Sequence, residues 1–380
     1  MSTHRGLEFA DQPREDYTIR WYDESDRSAV IELCNLVSSN CSEAWFSWKY
    51  EQLPYATHVP IIVAEKAGEI AAIRPYISLP LQLGEQTVPV AQLVDLIVHP
   101  DHRRQGLMTT LSRSLKTSCW NEFAATFTFA TSAARDGILK MQNERWTDHD
   151  LGSFVKYERI NNMAAFTGSD TSPSVRLGAA VATPVIKLSH HLQEHFFTVD
   201  PTIRVDRYEF VPVSTLSSLY AQAPPAGAHI RRDDDFYRWR FMEPGQEFIT
   251  YVASREETPL AAIVVGTKRS PDTPSTATLV EVLPSTGETA LDGAFSSLLS
   301  HITSDFATYD HLCATGGALS HQLLSTYGFT RSDIFPLSKF THSAYLLVCP
   351  LGRLASDSAA IERLTHEAGW ATTLCVRSLG

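Results

Sequence analysis

A chain of 380 residues is too long for one comfortable hydrophobic core, so two domains are expected. Apolar residues make up 43% and charged residues 20%, the balance of an ordinary folded chain. Forty-three acidic against 32 basic residues give a net charge of −11, which argues against a nucleic-acid or membrane-surface binder and leaves room only for a local basic pocket.

The first stretch, "MSTHRGLEFADQPRED", carries acidic residues and lacks an apolar core, so it does not read as a signal peptide. No apolar run approaches the roughly 18 residues a membrane span needs. The six cysteines (Cys34, Cys41, Cys119, Cys313, Cys349, Cys375) are scattered without a C-x-x-C pair. They predict buried free thiols in a reducing compartment and a cytoplasmic protein. A strand and the helix pattern "DRSAVIELCNLVSS" then lead into the aromatic segment "EAWFSWKYEQ" at 43–52. Two antiparallel strands follow around "IIVAEKAGEIAA", then a longer strand ending in "LVDLIVHP" at 93–100. The helix "MTTLSRSLKTSC", another strand and another helix complete the unit.

After "YERI" at 157–160 the small, polar "NNMAAFTGSDTSPS" opens a bridging segment, 161–202. The same order of elements then returns. Trp48-Lys49-Tyr50 is matched 191 positions later by Trp239-Arg240-Phe241, with Pro54 and Pro244 following. "LVDLIVHP" is matched by "LVEVLP" at 279–284, and Ala130-Thr131 by Ala314-Thr315. Four matches in one order predict two homologous domains, 1–160 and 203–350, with 351–380 as a tail packed on the body. Strands arriving first and helices alternating later place each in the α+β (α/β) class, a mixed and mostly antiparallel sheet flanked by helices.

The stretch "LIVHPDHRRQGLMTTL" at 96–111 carries the strongest chemical signal. A strand running through a tight turn into a helix leaves the first backbone N–H groups of the helix unpaired, and these suit phosphate oxygens. Gly106 lets a phosphate approach its backbone closely. Arg103 and Arg104 bring positive charge, and Leu107 anchors the helix.

These residues resemble motif A of the Gcn5-related N-acetyltransferases (GNAT), Arg/Gln-x-x-Gly-x-Gly/Ala after a strand, with Arg103, Gly106 and Met108 at the signature positions. Met108 departs from the usual small residue, and Arg145-Trp146 stands where the family usually ends its next helix in Gly-Phe; the second copy keeps Gly328-Phe329. The resemblance covers about 17–160 well and 203–350 more faintly. It implies an N-acetyltransferase that moves an acetyl group from acetyl-CoA, its co-substrate, to a primary amine of a small molecule, amino sugar or peptide. The pyrophosphate would lie on the backbone of Arg103, Arg104, Gln105, Gly106, Leu107 and Met108, with Thr109 near the helix start. The pantetheine arm would run along Leu96, Ile97 and Val98. The second copy has "STGETALDG" at the corresponding turn, without arginine or the glycine spacing, so only the first is expected to bind cofactor.

The proton-transfer groups are less legible. Asp95 on the central strand is the candidate base, although strand alternation can turn it to the face opposite the reacting carbon. Glu43 and Glu51 flank the aromatic segment, and His99 or His102 could enter from the turn. Counting back from Trp146 to the family's tyrosine acid reaches Met141, which leaves Ser132 as a weak proton donor. "HLQEH" at 191–195 matches a zinc-protease pattern but lies in a segment too short to build a catalytic domain, so no metal is expected. The repeated Trp-basic-aromatic segments could stack on single-stranded nucleic acid, which the charge disfavours; core packing is the preferred reading, with Trp45 or Tyr50 near the acceptor. A FemAB-type aminoacyl transferase and a non-catalytic acyl-CoA scaffold remain as alternatives. The degenerate copy offers surface for a homo-oligomer.

Overall fold

The computed structural model describes residues 16–38, 41–142, 146–166, 183–184, 188, 200–270, 273–285, 291–317, 319–334, 344–366, 370–371 and 373–377. The zinc-like pattern at 191–195, most of the bridging segment and Arg145 lie outside them.

The strands in the first half are β1 (Thr18–Trp21), β2 (Ile61–Lys66), β3 (Glu69–Leu83), β4 (Gln86–Leu93), β5 (Ile97–Val98), β6 (Ala125–Ala130), β7 (His149–Ser153) and β8 (Lys156–Ile160). Those in the second are β9 (Ile203–Tyr208), β10 (His229–Ile230), β11 (Glu247–Arg255), β12 (Thr258–Ser270), β13 (Thr273–Leu283), β14 (His311–Thr315), β15 (Thr330–Arg331) and β16 (Tyr345–Pro350). One sheet runs β1-β2-β3-β4-β6-β16-β7, with β5 and β10 also paired to β3; the other runs β9-β11-β12-β13-β14-β8-β15. Strand for strand the two orders correspond. In each, one internal pair is parallel, β4 with β6 and β13 with β14, and the other strand pairs are antiparallel. Two separate mixed sheets flanked by helices are consistent with two GNAT-like domains.

The last long strand of each half lies in the other's sheet. β8 inserts between β14 and β15, and β16 between β6 and β7. Sheet membership therefore crosses the boundaries expected at 160 and 350. Nothing local could have indicated this, because a strand's apolar alternation does not state which sheet it completes.

The helices pack as their apolar spacing requires. Helix α1 (Arg27–Ser38) buries Val30, Leu33 and Cys34, and α2 (Leu107–Cys119) buries Leu107, Leu111, Leu115 and Cys119, a stripe at i, i+4, i+8. Helix α3 (Ser132–Lys140) follows β6, with Thr131 capping its start through a side-chain bond to Ala134 N–H at 3.3 Å. Helix α4 (Val213–Gln222) contributes Leu216 and Leu219 to the same core as α1, which is shared by both sheets. α2 covers the opposite face of the first sheet, and α6 (Asp292–Asp305, after α5 at Asp234–Arg240) covers the second.

In the shared core the matched tryptophans meet. Trp48 donates its indole N–H to the Trp239 carbonyl at 2.7 Å, and Trp239 donates to the Trp48 carbonyl at 2.8 Å. Their rings stack at 5.6 Å with 16° between planes. The matched residues of the two copies thus form a self-complementary contact, as in a two-fold interface. The C-terminal tail threads between the sheets. The Phe127 and Trp370 rings lie 5.3 Å apart, Arg240 Nε donates to the Cys375 carbonyl at 2.8 Å, and Gln92 donates to the Val376 carbonyl at 3.3 Å. No helix among the described residues is long and apolar enough to cross a membrane.

Candidate functional site

The site is built where the first sheet opens. β4 and β6 pair in parallel from Val90/Ala125 to Gln92/Phe127, and Thr128 Oγ1 donates to the Leu93 carbonyl at 2.9 Å. Beyond that point β6 continues to Ala130 against β16, whereas the chain after β4 swings toward β3. A splay opens between β5 and the end of β6. Ile97 is registered with Ile73 of β3, and His99 N–H bonds the Ala71 carbonyl at 2.9 Å. Alternation along the strand then turns the backbone groups of Leu96 and Val98 away from β3, toward the splay. The Val98 carbonyl accepts Arg103 Nε at 3.4 Å, which pins the turn back onto the strand.

The strand expected over 93–100 is interrupted. Tyr76 pairs with Leu93 and Ile73 with Ile97, so two residues of β3 face three, Val94 to Leu96. This is a bulge, and Asp95 adopts φ +41°, a region that Asp tolerates better than most residues. The bulge breaks the alternation from which the orientation of Asp95 was read. Its carboxylate points to the α1 face, where Oδ2 is paired with the buried Lys49 ammonium and accepts the Tyr50 hydroxyl at 2.6 Å. Lys49 also sits 4.5 Å above the Trp45 ring. Burial, reinforced by Asp95, pushes the Tyr50 hydroxyl well above the ordinary tyrosine range, so it stays a proton donor.

The turn from β5 to α2 carries a short 3-10 segment, Pro100–His102, and then Arg104 and Gly106 at φ +61° and +83°. Gly106 is the N-cap of α2 with no side-chain cap, so the first N–H groups of the helix face outward unclaimed by a capping side chain. A Cβ at Gly106 would meet no heavy atom within 4 Å, so the space over this backbone is open. Arg103 and Arg104 are exposed beside it, and Gln105 and His102 are held by the Tyr17 hydroxyl at 2.9 and 2.8 Å. Leu107 is buried under the helix and Thr109 lies half-buried in its first turn. Met108 fits where a small residue is usual because it faces Gly137 of α3, where a Cβ would stand 3.2 Å from its methyl.

The remaining candidates divide. Ser132 is exposed in the first turn of α3, just past the end of β6 and hence at the rim of the splay. Glu43 lies at the surface. Its side chain is 82% exposed and 3.6 Å from Arg27, which also binds Glu51 at 2.9 Å. The acids of the aromatic segment are thus turned to a surface ion-pair cluster, and it is Lys49 and Tyr50 of that segment that reach Asp95. Sequence reasoning missed Lys49 and also Arg74, a buried arginine beside the bulge; the unusual "RPY" within an apolar strand was the signal available.

Residues 18–134 match the family described as Acetyltransferase (GNAT) domain. That stretch holds the turn, the splay and Asp95. Taken whole, the chain resembles a GCN5-related N-acetyltransferase from Anabaena variabilis with a TM-score of 0.57 at 10% identity, over 87% of this chain and 72% of that one. It resembles one from Kribbella flavida at 0.54 and 11%, over 88% and 70%. The N-myristoyltransferase of Saccharomyces cerevisiae, solved with bound myristoyl-CoA and inhibitors, matches at 0.58 and 12%, over 92% of this chain and 85% of that one. At such identities the likeness is one of fold. No curated protein matches the sequence at a significant level.

Proposed function

We propose that the protein is an acetyl-CoA-dependent N-acetyltransferase acting on a primary amine. The observation that carries this reading is the open backbone over Gly106 at the foot of the splay between β5 and β6. The backbone of Arg103 to Met108 and the α2 dipole would bind the pyrophosphate, the two arginines adding charge, with Thr109 close by. The pantetheine arm would lie in the splay as an extra strand, bonding Leu96 and Val98 and passing Ile97.

Acetyl transfer joins a neutral amine nitrogen to the thioester carbon and releases the CoA thiolate; the amine's proton must leave and the thiolate must gain one. Asp95 is assigned as the group facing the amine, its rotamer fixed by Lys49 and Tyr50. Ser132, at the rim, is assigned as donor toward the thiolate. The degenerate second copy would contribute the partner wall of the acceptor site rather than a second cofactor site.

The test is release of CoA thiol from acetyl-CoA in the presence of small-molecule, amino-sugar and peptide amines, each followed by mass analysis of the acceptor. Acetylated amine supports the reading, and saturable acetyl-CoA binding with no acetylated product overturns it. The latter result would favour the acyl-CoA scaffold, a reading supported by the engagement of Asp95 with Lys49 and Tyr50. A long-chain acyl-CoA belongs in the same assay, because one fold relative holds myristoyl-CoA.

A further inference from the structure

β3 is a central strand, bonded to β2 on one side and β4 on the other. Proline in such a strand removes a ladder donor wherever its nitrogen faces a paired neighbour. Pro75 sits at the place where β3 faces the Val94–Leu96 bulge. Val94 N–H donates to the Pro75 carbonyl at 3.2 Å, the first half of what would be a reciprocal pair. The second half, from residue 75 back to the Val94 carbonyl, cannot form because proline has no N–H. That carbonyl instead accepts Nη1 of Arg74 at 3.2 Å.

Arg74 is only 6% exposed, and its Nε is buried with no hydrogen-bond partner among the described residues. Burial outweighs the more distant Asp95 and Asp148 and pushes its guanidinium down to about 10. It remains charged at neutral pH. A buried cation is a costly means of satisfying one carbonyl, and an ordinary residue at position 75 would have supplied the bond from the backbone.

We propose that Arg74 is a positioning residue of the acyltransferase site: its side chain replaces the donor that Pro75 lacks, and so holds the bulge in the conformation that turns Leu96 and Val98 to the splay. The proposal rests on the acyl-CoA reading of that splay. It makes the arginine and the proline a matched pair. Arg74→Met leaves the Val94 carbonyl without its donor, and Pro75→Ala in the same chain returns a backbone N–H to it.

The experiment compares wild type, Arg74→Met and Arg74→Met/Pro75→Ala by acetyl-CoA titration, by kcat at saturating acetyl-CoA, and by hydrogen–deuterium exchange of the peptide spanning 92–98. In Arg74→Met, kcat falls on the order of 100-fold, as for a misplacement of about 1 Å. Acetyl-CoA affinity changes far less, because the pyrophosphate is held by 103–108. Amides of 94–98 exchange faster. The double variant recovers most of the kcat and the protection. A double variant no better than the single in protection and rate overturns the proposal. So does an equal loss of affinity and kcat in Arg74→Met. If wild type turns over no acetyl-CoA, the acyltransferase reading fails, and the exchange comparison alone decides the pairing of Arg74 with Pro75. If Arg74→Met does not fold, folding of the double variant supports the proposal and its failure to fold overturns it.

Discussion

Trp48→Phe removes one of the two reciprocal indole bonds at the centre of the shared core, while the Trp239 carbonyl, in a residue 5% exposed, keeps the backbone N–H of Met242 at 3.2 Å. Losing one hydrogen bond from an acceptor that keeps another costs about 0.5–1.5 kcal/mol. The smaller ring forfeits roughly another 1 kcal/mol of buried apolar surface. A loss of about 1.5–2.5 kcal/mol is therefore expected, and Trp239→Phe should cost about the same because the contact is self-complementary. The stacked pair itself contributes about 0.5–1.5 kcal/mol, and either substitution already disturbs it. The double variant should therefore fall short of the sum by about that amount. Guanidinium unfolding followed by tryptophan-independent circular dichroism measures all four chains. Exchange of β8 and β16 between the sheets should make unfolding one transition. Strict additivity, or two transitions of which Trp48→Phe moves only one, would refute the reasoning.

Three further outcomes are expected. Gly106→Asn, in a left-handed position that Asn tolerates, should keep the fold and weaken acetyl-CoA by steric bulk alone. Gly106→Asp should weaken it much further, since a carboxylate about 4 Å from phosphate charge costs roughly 1–4 kcal/mol per charge; calorimetry on both variants checks this. Lys116 and Asp148 form a buried pair at 2.5 Å beneath α2, with side chains 6% and 7% exposed. Lys116→Ala should cost about 3–5 kcal/mol in denaturant titration, and Lys116→Met/Asp148→Leu much less. Burial holds His229 neutral and its pKa low, with Arg232 adding to the effect and the Gly227 carbonyl opposing it. The unfolded histidine takes up a proton first, so stability present above about pH 6.5 is lost as the pH falls. Thermal unfolding from pH 8 to 5 should show that slope, and His229→Gln should flatten it.

The two sheets share one strand order, as the short motif matches led one to expect of two similar halves, and the matched tryptophans touch each other. The turn at 103–108 was legible for a different reason, since a strand, a glycine and a helix leave few conformations open. Strand exchange was not, because "KYERI" and "YLLVCP" read as strands whichever sheet they join. Asp95 was singled out, but alternation could not give its direction. Alternation fails at a bulge, and Pro75 on the neighbouring strand is no clear signal of one, because Pro80 of that strand pairs in regular register. Glu43 was chosen for its place beside aromatics. A helix that turns Tyr50 and Lys49 inward must turn other positions outward, and Glu43 is one of them.

The most direct test of the central claim is calorimetric titration of the wild-type chain with acetyl-CoA, repeated across ionic strength. The account predicts saturable binding at one site per chain that weakens with salt, as a pyrophosphate held by arginines and a helix terminus requires. Absence of binding at every ionic strength would contradict it and leave the open turn over Gly106 without a ligand.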